Sequence, residues 1–113
     1  MKKILKPAMG LMIVAAAVSA HAEMKANDIE AARVLFAGMG CVNCHERIEK
    51  ATGPALKEIA KRYQGKNVAD ELAGRIREGS MGRWGNEEVH PPQGVLEPEE
   101  AKLLANWVLN GAP

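Results

Sequence analysis

Large aromatic side chains are scarce in this 113-residue chain, which has one Phe, one Tyr and two Trp. The length allows one small domain with a modest core. So few rings leave such a domain in need of a staple or a cofactor. Net charge is also nearly absent. Fifteen basic residues face fourteen acidic ones, interleaved along the chain, and leave no footprint for nucleic acid. No apolar run reaches the roughly 20 residues that span a bilayer. No segment alternates convincingly with period two, and none is of low complexity. Cysteine is limited to Cys41 and Cys44, which makes that pair the place to look for the missing staple.

The first residues, "MKKILKPAMGLMIVAAAVSAHAE", have the organisation of an export signal. Lys2, Lys3 and Lys6 form a basic front, an apolar run extends from Ala8 to Val18, and Ala20-His21-Ala22 supplies a small-x-small cleavage pattern. An N-terminal membrane anchor is the competing reading, but the run is short for it. The expectation is a signal peptide over residues 1–22, cleaved after Ala22, and a single domain over 23–113. Cleavage leaves twelve basic residues against fourteen acids, with His45 and His90 as the remaining histidines and Met24, Met39 and Met81 as the remaining methionines.

The domain reads as all-α, with four or five short helices. Asn27 to Glu30 resembles a capping box opening a first helix, along which Ile29, Ala32, Leu35, Phe36 and Met39 recur at helical spacing. Pro54 is expected to begin a second helix through "PALKEIAKRY". A third run, "VADELAGRIREG", puts Val68, Leu72 and Ile76 on one face and ends at Gly79. Pro98 fits the first turn of a last helix whose apolar positions include Ala101, Leu103, Leu104, Trp107 and Val108. Between Ser80 and Leu96 lies a Gly- and Pro-rich stretch of about 17 residues. A loop of that length without secondary structure of its own points to a binding role.

Cys41-Val42-Asn43-Cys44-His45 is C-x-x-C-H, the attachment signature for haem c. Cysteines three apart can form thioethers to the two vinyl groups on one haem edge. The histidine that follows then lies under the iron. A thioredoxin-like redox pair would need a strand leading into a helix, and no such pattern precedes Cys41. A zinc site would need four ligands, and Cys41, Cys44 and the adjacent His45 make a poor tetrahedral clamp. A plain structural disulfide is the remaining alternative. Export favours haem, because c-type attachment is completed outside the cytoplasm.

With these residues in place, the chain resembles the small single-haem class I cytochromes c of bacteria, the short periplasmic electron carriers. "VLFAGMGCVNCH" is similar to the family's first helix entering the haem motif. "GPAL" at Gly53 to Leu56 follows at the family's distance, and "LAGRIREGSMGRWG" and "LLANWVL" are similar to its later helices. The resemblance implies one covalent haem c held by Cys41 and Cys44, with His45 as proximal ligand and the Pro54 carbonyl accepting a hydrogen bond from the other ring nitrogen. It implies that Arg75 and Trp84 donate to a haem propionate, and that Phe36 and Trp107 pack where the first and last helices cross. It also implies a monomeric electron carrier, not an enzyme, that meets redox partner proteins in the periplasm.

One position departs from the pattern. The family's sixth ligand is a methionine before prolines in the loop ahead of the last helix, and here His90 precedes Pro91 and Pro92. A residue before proline is held extended, and proline fixes its own φ, so the loop can present one side chain at a defined place. Three readings are open: bis-histidine ligation by His45 and His90, ligation by Met81 from "GSMGRWG", or an open distal site. The first implies a potential below that of methionine-ligated relatives. The last would admit a haem enzyme, such as a peroxidase, or a small-ligand sensor. Glu87 and Glu88, beside the ligand loop, read as a solvated face that could bias docking.

Overall fold

The computed structural model describes residues 2–15, 23–85 and 88–113. The expected cleavage pattern Ala20-His21-Ala22 and Glu87 lie outside them. Residues 2–15 are exposed and adopt no regular secondary structure. Among the described residues, no helix is long and apolar enough to cross a membrane.

The described residues fold as four α-helices and one very small hairpin, and the all-α expectation holds. Helix α1 spans Ala26–Gly38, α2 Leu56–Arg62, α3 Ala69–Glu78 and α4 Pro98–Leu109. A single 3-10 turn, Cys41–Asn43, follows α1. Strands β1 (Ser80–Met81) and β2 (Val89–His90) pair antiparallel, Ser80 with His90 and Met81 with Val89.

Helix α4 is the hub, since α1, α2 and α3 all pack on it. Its start is well determined. Glu97 and Glu100 form a reciprocal capping box around Pro98 at the first turn, which satisfies amides that the helix leaves without an internal partner. Its apolar positions then join two clusters. Ala101, Leu104 and Ala105 meet Ala73 of α3 and Leu96, with Leu35, Met39, Leu72 and Ile76 against them. On the neighbouring stripe, Trp107 meets Ala32, Leu56 and Ala112. Phe36 touches both clusters, and its ring lies 5.1 Å from that of Trp107 at a 53° tilt. Such a tilted pair adds about 0.5–1.5 kcal/mol beyond burial. This is the expected crossing of the first and last helices.

Two helix starts differ from expectation. Helix α1 begins at Ala26 with Lys25 at the N-cap and no side-chain cap. Asn27 is therefore inside the first turn, because the Lys25 carbonyl already accepts the Ile29 amide. Helix α2 begins at Leu56, not Pro54. Its first amides, those of Leu56 and Lys57, donate to the carbonyls of Glu46 and Arg47. The segment after His45 thus supplies the cap, and Pro54 stays outside the helix with its carbonyl free for another donor. The loop from Ser80 also differs, since the β1–β2 pairing gives it structure of its own.

Candidate functional site

The helices leave a cavity of about 510 Å³ between them. Its walls come from Phe36 and Met39 of α1, the Cys41–His45 motif, Leu56 and Ile59 of α2, Leu72 and Ile76 of α3, and Leu104 and Val108 of α4. His90, Tyr63, Arg75, Trp84 and Glu88 complete it. A concave, largely apolar site with few polar groups is the form that cofactor sites take.

Cys41 and Cys44 enter this cavity from the 3-10 turn, half-buried and not joined to each other. The Cys44 and His45 amides both return to the Cys41 carbonyl, which winds the motif tightly enough to bring all three side chains to one wall. The turn follows a helix, so the strand-to-helix setting of a thioredoxin-like pair is not formed. Burial, partly offset by a hydrogen bond from its own backbone, holds the Cys41 thiol above its ordinary range, with Cys44 adding to the shift. Among the described residues, no three His, Cys, Asp or Glu side chains converge as a metal cluster, so a zinc site lacks its ligand set.

His45 is fixed by its surroundings. Its Nδ1 lies 2.7 Å from the Pro54 carbonyl, which can only accept, so Nδ1 carries the proton and Nε2 the lone pair. Gly53 packs against the ring: a Cβ there would stand 2.8 Å from Cε1 and 3.1 Å from Nδ1. The Gly53 amide donates to the Cys44 carbonyl at 2.7 Å, which closes the loop around the imidazole.

His90 is presented from the opposite side by β2. Its Nδ1 lies 2.9 Å from the Pro91 carbonyl, which again leaves Nε2 as the nitrogen with a free lone pair. Burial lowers its basicity, the Pro91 carbonyl opposes that, and nearby His45 lowers it further, so the neutral ring is favoured. The strand is held at close range. Ser80 pairs with His90, and the Gln93 amide donates to the Ile76 carbonyl. Gly79, at φ 82°, ends α3 so close to β2 that a Cβ would lie 2.7 Å from the His90 carbonyl oxygen. Because strand side chains alternate, the ladder that turns Ser80 and His90 inward turns Met81 outward. Met81 is 71% exposed and does not line the cavity.

The two imidazoles face each other with ring centroids 6.1 Å apart and planes tilted by 36°. Metal–imidazole bonds of about 2.0–2.1 Å on either side of one ion would put two ring centroids roughly 6 Å apart. Two thiols on one wall, two imidazoles across an apolar cavity, and a glycine against one ring are a donor set and a shape that fit haem.

Arg75 and Trp84 both line the cavity. Arg75 donates to the Tyr63 hydroxyl at 3.0 Å and also to the Glu71 carboxylate. Arg62 lies over the Trp84 ring at 4.3 Å and donates to the Arg83 carbonyl at 2.6 Å. Tyr63 meets Trp84 edge-on, with centroids 6.5 Å apart. The Tyr63 hydroxyl and Arg62 were not singled out in the sequence, where both are simply residues of the "PALKEIAKRY" run. Gly53, directly before Pro54, and Gly79, at a helix end, were the glycines that could have been traced to the two histidines.

A family model described as Cytochrome c matches residues 29–112. The cytochrome c-551 of Stutzerimonas stutzeri is 44% identical over 111 residues, covering 97% of this chain and 98% of that protein. The cytochrome c-552 of Hydrogenobacter thermophilus is 46% identical over 72 residues, or 63% of this chain and 71% of the other. Among solved structures, Nitrosomonas europaea cytochrome c552 superposes with a TM-score of 0.66 at 39% identity, covering 70% of this chain and 98% of that one. The class 1 cytochrome MtoD of Sideroxydans lithotrophicus gives 0.63 at 31% identity, covering 76% and 98%.

Proposed function

This chain belongs to the cytochrome c family, as a haem-carrying electron-transfer protein and not an enzyme, and on that premise we propose that it is a periplasmic electron shuttle ligated by two histidines and poised at a lowered potential. The family's single covalent haem c supplies the one-electron couple. Electrons pass to and from redox partner proteins.

In this reading Cys41 and Cys44 would hold the haem through thioethers, and His45 and His90 would ligate its iron. The Pro54 carbonyl orients His45 and makes it a stronger donor, and the Pro91 carbonyl does the same for His90. Arg75 and Trp84, which line the cavity beside Tyr63 and Arg62, would hold the haem propionates. The apolar walls exclude water, which keeps reorganisation during electron transfer small.

Imidazole is a better σ-donor and a poorer electron acceptor than a thioether, so two histidines favour ferric iron. The observation that carries the reading is the 6.1 Å separation of two rings whose Nδ1 atoms are both committed to backbone carbonyls. The exposed outward position of Met81 supports His90 over that alternative.

Export and cleavage after Ala22 remain part of the proposal. The leading apolar side chains from Ile4 to Val14 are exposed and take no part in the core, which supports a leader. The mature protein would be a monomer without stable membrane insertion.

Redox titration of the purified protein and of the His90→Met variant tests the ligand assignment. The variant's potential should rise on the order of a hundred millivolts, a fraction of the about 0.8 V that axial ligands span. An unchanged potential and spectrum would reject His90 as a ligand.

A further inference from the structure

Lys50 and Glu88 connect the two histidine-bearing segments directly. Lys50 lies in the loop between His45 and Pro54, and Glu88 immediately precedes β2, which carries His90. Lys50 Nζ stands 3.3 Å from Glu88 Oε1. The pair is unequal in its surroundings: the Lys50 side chain is 71% exposed, whereas that of Glu88 is 29% exposed and lines the cavity. Glu88 Oε2 is buried and has no hydrogen-bond partner among the described residues. The backbone beneath it is fixed, since the Glu88 carbonyl accepts the Gly82 amide at 2.9 Å. A carboxylate drawn this far from water, on an anchored backbone, is held by Lys50 more firmly than an exposed partner would be.

We propose that Lys50 and Glu88 are positioning residues that form a clasp from the His45 loop to the His90 strand and so keep the distal histidine in place over the haem. The inference rests on His90 being the distal ligand. The rest of the His90 anchorage comes from its own side, through Ser80, Gly79 and the prolines. Among the described residues, it is the salt bridge that joins that strand to the opposite ligand loop. Opening it frees β2 to swing outward with His90, so the closed clasp limits how often an outside ligand reaches the distal position. Its strength depends on charge, and salt weakens it.

The test is the rate at which imidazole, whose binding form is neutral and blind to local charge, displaces the distal ligand of the ferric holoprotein in stopped-flow mixing. Lys50→Gln and Glu88→Gln should each accelerate binding roughly two- to five-fold. The charge-swapped double variant, Lys50→Glu with Glu88→Lys, should restore the wild-type rate. About 1 M salt, where the Debye length is about 3 Å, should accelerate the wild type and leave the single variants unchanged. Reduction potentials separate the clasp from simple electrostatics. Removing the carboxylate should raise the potential and removing the ammonium should lower it, while both changes raise the imidazole rate. Rates that follow the potentials in opposite directions, or that do not change in a low-spin protein, would overturn the clasp alone. A high-spin ferric spectrum of the wild type would instead remove His90 as ligand and the clasp with it.

Discussion

The His45 and His90 rings stand 6.1 Å apart, centroid to centroid, across a cavity of about 510 Å³. Each uses its Nδ1 on a backbone carbonyl within hydrogen-bond distance, Pro54 for one and Pro91 for the other. The arrangement is nearly symmetric in its chemistry although the two residues come from unrelated local structures, a 3-10 turn exit and a two-residue strand.

Gly53 makes the His45 side of that arrangement possible. In Gly53→Ala the new methyl would stand 2.8 Å from the imidazole Cε1. The ring must tilt or the loop must move, at a cost of about 1–3 kcal/mol. Denaturant unfolding should show that loss, together with a shifted ferric absorption spectrum as the His45–Pro54 hydrogen bond lengthens.

Gly79 has the corresponding role for His90. Its φ of 82° is unfavourable for a side chain, and a Cβ would meet the His90 carbonyl at 2.7 Å. Gly79→Ala should destabilise the fold by at least about 1 kcal/mol. It should also speed imidazole binding at the ferric iron, because the displaced backbone carries the distal ligand with it.

Much of this site is legible in the amino-acid sequence. The C-x-x-C-H motif, Pro54 nine positions after His45, Gly79 at a helix end and Pro98 at a helix start all act locally, through spacing or fixed backbone angles. The features that escaped notice depend on segments meeting across the fold. A ladder of two residues per strand is too short to show alternation, so β1 and β2 could not be told from loop. The Arg75–Tyr63 and Lys50–Glu88 contacts join separate segments, and no spacing rule connects them. The start of α2 was displaced for the same reason, because its caps are the carbonyls of Glu46 and Arg47.

Acid should loosen the distal side. Burial holds His90 below its ordinary value of 6.5, the Pro91 carbonyl acts against that and His45 adds to it. As pH falls through 6.5 the unfolded chain takes up a proton that the folded site resists, so stability declines there and is fully retained above. Unfolding midpoints followed across that range should show the decline, and His90→Met should lose the share due to this group.

The most direct measurement is the low-temperature paramagnetic resonance and near-infrared absorption of the ferric protein. Ligation by His45 and His90 predicts a low-spin signal with no thioether-to-iron band. A near-infrared thioether band would assign the sixth position to a methionine, and a high-spin signal would mean that no side chain holds it. Either result would contradict the account.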